Sequence, residues 1–224
     1  MRLNSPKLNL IYKACMKASK SLIRDFGEVE KLQVVSKSAG DFVSKADIRA
    51  ETIIKDELLS SRPSYGWKAE ESSEIIGDDP TRRWIVDPLD GTSNYSRDIP
   101  ICCVSIGLVN NFQPIFGVIY DFNNDDIYIG NKYEEKSTMN NIKISVSDLK
   151  EKSDGVLVTG LPINTDYSDA SLSKLIDDMQ LWKKIRMIGS AAMASCYVAS
   201  GKAEMYKEKG VYLWDIVAGA ALVE

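Results

Sequence analysis

Histidine is absent from all 224 residues. That excludes Ser-His-Asp and Cys-His catalysis and any histidine-ligated zinc site. An enzyme built from this chain must work with carboxylates, hydroxyls, lysines or backbone groups. Cysteine is scarce. Cys15, Cys102, Cys103 and Cys196 lie far apart or adjacent, never as CxxC, which reads as reduced, buried thiols in a cytosolic protein. No apolar run approaches the ~18 residues of a membrane span. The N-terminal stretch MRLNSPKLNLIYK lacks the apolar core and cleavage site of a secretory signal. No basic tract stands out and the net charge is -4, so neither nucleic acid nor an anionic membrane is indicated as a partner. A cytoplasmic location is the expectation.

With 44% hydrophobic and 27% charged residues, the composition is that of a soluble globular protein. Residues 5–25 place Leu8, Ile11, Tyr12, Cys15, Ala18, Leu22 and Ile23 at helical spacing. Ser5-Pro6 supplies the start and Gly27 a stop. A second helix is predicted over 46–59, with Ile48, Ile53, Ile54 and Leu58 inward. The middle reads as strands at 84–87, 101–109, 115–121 and 126–130, separated by turn residues, which predicts an antiparallel meander, with another short strand at 142–146. The last third alternates: strand 155–159, helix 168–181, strand 184–188, helix 190–200, strand 203–207, helix from 214. That pattern predicts an α/β half. The expectation is one domain over 1–224, with an α+β part to about 147 and an α/β part from 148. The chain stops inside what reads as a helix, which predicts that the natural C-terminal end lies further on.

The stretch WIVDPLDGTSNY (84–95) ends a strand-like run in two carboxylates and a glycine turn. Pro88 cannot donate to a ladder, so the strand is expected to end there. Thr92 or Ser93 could cap a helix whose free N–H groups attract phosphate. Carboxylates beside an anion site repel the anion unless a hard divalent cation lies between them, and Mg²⁺ prefers oxygen ligands. Taken alone, DPLDG also reads as a plain β-turn. Taken alone, Glu70, Asp47 and Asp215 each read first as a surface acid or a helix N-cap. Asp47 is expected to open the second helix.

Four motifs occur together in order. They are Asp41-Phe42-Val43-Ser44-Lys45-Ala46-Asp47, Glu70-Glu71-Ser72, Asp87-Pro88-Leu89-Asp90-Gly91-Thr92-Ser93-Asn94, and Trp214-Asp215-Ile216-Val217-Ala218-Gly219. In these the chain resembles the inositol monophosphatase family of Mg²⁺-dependent, lithium-sensitive phosphatases. The resemblance implies a layered αβαβα sandwich of the sugar phosphatase type, like that of fructose 1,6-bisphosphatases. It also implies two to three Mg²⁺ ions. Glu70, Asp87 and the Leu89 carbonyl would hold the first. Asp87, Asp90 and Asp215 would hold the second, and a weaker third would lean on Glu70. Asp47 and Thr92 would orient and deprotonate the attacking water, which metal coordination makes more acidic. The Gly91 and Thr92 amides would hold the phosphate through in-line attack.

DGTSNY is closer to the DGTxNF of inositol monophosphatases than to the DGTKEF of 3′-phosphoadenosine 5′-phosphate phosphatases. Gly189-Ser190-Ala191 and Glu208 match the family's sugar-contacting positions, and Asp90 and Asp215 also face the substrate there. Ser190 reads equally as a helix N-cap and Glu208 as a surface acid. Three places depart from the pattern: Ala69 for glycine, Arg97 for histidine, and 130–141 for a glycine-rich hairpin, expected to be a looser loop. Lys37 could hold the third ion's water shell or stand in solvent. The implied substrate is a small phosphate ester, foremost myo-inositol monophosphate. The alternatives are the bisphosphate nucleotide, fructose 1,6-bisphosphate or histidinol phosphate. A homodimer is implied. A different reading is a regulatory partner in ribosomal RNA transcription complexes, as for an extragenic suppressor that the chain also resembles.

Overall fold

The computed structural model describes residues 5–32, 39–161 and 166–223. Helix α1 (Pro6–Leu32) starts where Ser5-Pro6 predicts and runs past Gly27. Helix α2 (Ala39–Ser61) begins well upstream of the predicted 46. Among its described side chains the buried apolar face is Ala46, Ala50, Ile54 and Leu58, four apart. Ile48, expected inward, is 50% exposed, and Ile23 on α1 is also exposed.

Seven strands follow in spatial order: β1 (Tyr65–Ala69), β2 (Asp79–Asp90), β3 (Cys103–Asn110), β4 (Gln113–Asp121), β5 (Asp126–Asn131), β6 (Lys136–Met139) and β7 (Ile142–Lys143). The pairs from β2 to β5 are the predicted antiparallel meander, which β6, not foreseen, and β7, shorter than the strand expected at 142–146, extend. Strand β1 was not foreseen and joins parallel to β2. The 130–141 segment is no loose loop. Strands β5 and β6 pair from Tyr128 to Asn131, and the Asn131 side chain accepts from Tyr133 N to close the turn. Asparagine there does the capping that glycines do by conformation. A second sheet has the order β10 (Met205–Lys207), β8 (Val156–Thr159), β9 (Lys184–Met187), all parallel. The remaining helices are α3 (Thr92–Tyr95), α4 (Asp169–Met179), α5 (Ala191–Ala199) and α6 (Leu213–Val223).

Helices α1 and α2 cover one face of the large sheet through Ile11, Leu22, Ile54, Leu58, Trp67 and Trp84. Helices α5 and α6 cover the other through Ile119, Tyr128, Met193, Cys196 and Leu222. The small sheet packs beyond them, with Val158 against Ala194 and Ala203. Helix α4 buries no residue and ties to β10 through the Lys207–Asp178 ion pair. These are the five layers of the αβαβα sandwich. Helix α6 lies directly on backbone. Gly107, Gly117 and Gly130 are cross-strand partners on β3, β4 and β5. A Cβ at Gly117 would stand 2.2 Å from the Ala218 carbonyl, and one at Gly130 2.1 Å from that of Ala221.

Candidate active site

Strand β2 does not stop at Pro88. Asp87 lies opposite Ser105 and Asp90 opposite Cys103, so β2 carries one extra residue and bulges. Pro88 sits in that bulge, where its missing N–H leaves no ladder bond unmade. The bulge turns both carboxylates into one buried corner. Asp87 Oδ1 accepts from Leu89 N at 2.9 Å, and the Leu89 carbonyl accepts from the Thr92 hydroxyl at 3.0 Å. Gly91 N-caps α3 at φ 87°, with no side-chain cap from Thr92 or Ser93. A Cβ on Gly91 would meet the Ile101 carbonyl at 2.7 Å, so the turn needs glycine twice over.

Four other elements converge on this corner. Glu70 follows the end of β1, and the adjoining Ala69 is buried in the sheet core rather than strained. Asp215 stands in the first turn of α6 and accepts from Tyr212 N at 2.6 Å. The Gly189-Ser190-Ala191 segment enters α5. There Ser190 N-caps the helix and its hydroxyl donates to Asp90, as do Ala192 N at 2.8 Å and Ala191 N at 3.3 Å. Glu208 follows β10 and accepts from the Tyr206 hydroxyl at 3.0 Å. Glu70, Asp87, Leu89, Asp90, Gly91, Thr92, Gly189, Ser190, Ala191, Glu208 and Asp215, with Val211, line one cavity of about 210 Å³.

Asp47 is the one expected site residue outside that lining. It does not open α2 but sits well inside it, 4% exposed, with Oδ1 lacking a hydrogen-bond partner. Thr92 turns its hydroxyl to Leu89, not to Asp47. Lys37 and the side chains of Asp41 and Ser44 lie outside the described residues. Sequence reasoning missed Ala192, Val211 and the work of Asn94. The Asn94 amide donates to the Ile101 carbonyl at 2.8 Å and the Ile188 carbonyl at 2.7 Å, pinning the entrance to α5 onto the β2 turn. Tyr95 is fully buried and donates to the Leu22 carbonyl at 2.9 Å. Asn94-Tyr95 therefore brace the fold; Tyr95 does not reach the cavity. Arg97 is exposed.

The carboxylates crowd one another. Burial, then Asp90, Glu70 and Asp215, push Asp87 well above the usual range. Burial raises Asp90 to about 6, although Ser190 and the α5 amides pull it down. Desolvation, then Glu71 and Asp215, raise Glu70 to about 7 against a lowering hydrogen bond with Asp87. Burial, then Glu71, Glu70 and Glu51, take Asp47 to about 8. Burial also raises Asp215 and Glu208. Among the lining residues there is no lysine or arginine. Four carboxylates and a carbonyl with no basic partner are the donor set of a hard divalent cation, so these residues fit Mg²⁺. As they stand, no group of three or more histidine, cysteine, aspartate or glutamate side chains among the described residues is set to hold an ion. Asp90 and Asp215 give oxygens to backbone and hydroxyl donors instead.

The profile of the inositol monophosphatase family matches residues 4–224. An inositol-1-monophosphatase of Mesorhizobium japonicum is 41% identical over 220 residues, covering 98% of this chain and 82% of that protein. A Nus factor SuhB of Xylella fastidiosa is 36% identical over 99% of this chain and 80% of its own length. The crystal structure of the extragenic suppressor protein suhB from Bartonella henselae superposes with a TM-score of 0.85 at 37% identity, over 97% of this chain and 83% of that one. With the matching αβαβα layers, the chain belongs to the inositol monophosphatase family and is a phosphoric monoester hydrolase.

Proposed function

We propose that this chain hydrolyses a cyclitol monophosphate, foremost myo-inositol monophosphate, with Mg²⁺. The observation that carries the reading is a single cavity with five carboxylates and no basic side chain at the head of a helical turn. A phosphate can enter such a cavity only if cations share it. Glu70, Asp87, the Leu89 carbonyl, Asp90 and Asp215 would hold two ions, with a third, weaker one at Glu70. When bound, the ions acidify water and neutralise charge on the phosphoryl group. The Gly91 and Thr92 amides orient the phosphate. Asp47 and the Thr92 hydroxyl would orient the attacking water, and Asp47, in the charged form that neighbouring cations favour, would take its proton. Gly189, Ser190, Ala191 and Glu208 face the alcohol that leaves.

The test is hydrolysis of myo-inositol 1-phosphate by purified protein across a Mg²⁺ titration, with EDTA and lithium arms. Turnover that rises with Mg²⁺, vanishes with EDTA and falls with lithium is expected. No Mg²⁺-dependent turnover of any sugar phosphate would overturn the reading. The relatives named Nus factor SuhB support a second reading, a protein that also binds a transcription complex; the homodimer and the cytoplasmic location rest on the sequence reading alone. Copurification of the Asp87→Asn variant with RNA polymerase would separate that role from phosphatase activity.

A further inference from the structure

Glu208 reaches the cavity wall from a loop, and a long side chain on a loop needs something to aim it. Two features do so. The Tyr206 hydroxyl, two residues earlier on β10, donates to Glu208 Oε2 at 3.0 Å. Gly160, just past β8, lies under the carboxylate. A Cβ there would stand 2.3 Å from Oε2 and 2.5 Å from both Cδ and Oε1. The carboxylate thus lies flat on a bare α-carbon and is tethered by one oxygen. Strands β8 and β10 are hydrogen-bonded neighbours, so the floor and the tether move as one body. Glu208 makes no ion pair at 4 Å or less among the described residues, and its other oxygen is left to accept from whatever enters the cavity.

We propose that Tyr206 and Gly160 are positioning residues that aim Glu208 at a hydroxyl of the leaving alcohol, and so set the preference for polyhydroxylated phosphate esters over hydroxyl-free ones. This rests on the phosphatase reading above. A phenyl phosphate offers Glu208 no hydroxyl. A cyclitol ring offers one on each carbon that does not carry the phosphate. A hydrogen bond to a charged group contributes enough to change affinity by tenfold or more. Gly160 has no positive φ, so alanine suits its backbone. The atoms its methyl would meet are the free end of a flexible side chain, which can swing aside without disturbing the sheet.

The experiment compares kcat/KM for myo-inositol 1-phosphate with that for p-nitrophenyl phosphate, in Mg²⁺, for Tyr206→Phe, Gly160→Ala and Glu208→Ala. The ratio is expected to fall about tenfold in each variant, through KM of the inositol ester. Tyr206→Phe added to Glu208→Ala is expected to lower the ratio no further, since Tyr206 acts through Glu208. Ratios within twofold of wild type in both Tyr206→Phe and Gly160→Ala overturn the proposal. So does an undiminished Tyr206→Phe effect in the Glu208→Ala background, which would mean that the hydroxyl meets substrate itself. Gly160→Ala keeps the test open if the tyrosine variant folds poorly. Absence of turnover of both esters by the wild type would instead overturn the phosphatase reading itself.

Discussion

Buried acids occur in two kinds of place in this molecule. Asp25 is 2% exposed, and both its oxygens meet guanidinium groups, Arg24 at 2.8 Å and Arg49 at 2.8 Å. Asp121, also buried, accepts from Asn123 N, Asn124 N and the Asn124 amide. Asp87 is as buried as Asp25, but its neighbours are other acids. Folding a carboxylate into the interior is costly unless a partner compensates it. Asp25 and Asp121 have their compensation inside the chain. Asp87 has only the Leu89 amide against three crowding acids and Asp47 leaves Oδ1 unpartnered, while Ser190 and the α5 amides offset Asp90 only in part, and that deficit distinguishes a site from a scaffold.

Neutralising one acid of each kind separates the two environments. Asp87→Asn is expected to lower kcat by roughly a thousandfold or more, the scale of losing a main electrostatic contributor to phosphoryl transfer. The metal-free protein should keep or gain thermal stability, because one of several repelling charges has gone. Asp25→Asn should do the reverse. About 1–3 kcal/mol of unfolding free energy should be lost, measured by urea titration, since two charged bonds are weakened at a buried site. The Mg²⁺ concentration for half-maximal activity should not move.

The crowded acids should also give stability a distinct pH dependence. Asp90, Glu70 and Asp47 stand raised to about 6, 7 and 8. A carboxyl raised on folding favours the neutral form, so its contribution is complete below the unfolded value near 4 and is lost as pH rises through the folded one. The metal-free protein should therefore lose melting temperature between about pH 5 and 8. Mg²⁺ should raise the melting temperature more at pH 8 than at pH 5. A flat profile in EDTA would contradict the crowding of the acids. The smallest effect expected is that of Asn94→Ala. It removes two amide bonds to backbone, about 1–2 kcal/mol, and should raise the Mg²⁺ requirement a few-fold, because the α5 entrance that holds Asp90 loosens.

Much of the site was legible because its acids sit in contiguous motifs, and the structure brings all but Asp47 to one cavity. What was not legible depended on partners distant in the chain. Pro88 signals an ended strand when read locally. Only the register of β3 shows that the ladder resumes after a bulge. Asp47 looks like a helix opening because the helical pattern in the sequence is read from Ala46, although α2 starts at Ala39. Strand β1 escaped because YGWKA has no clean alternation, and its partner Ile75 bridges from outside any strand. Ala192 contributes only a backbone amide to Asp90, which no side-chain pattern can reveal.

The glycine row under α6 bears on when the site comes into being. Gly107, Gly117 and Gly130 belong to three different strands, and the helix rests on all three. That seat exists only once β3, β4 and β5 have paired in register. Asp215 rides on the first turn of the same helix, so it reaches the other acids only after the sheet is complete. A half-built chain thus presents Asp87 and Asp90 without their third partner. The full set of cation ligands therefore depends on the register of three strands that carry none of them.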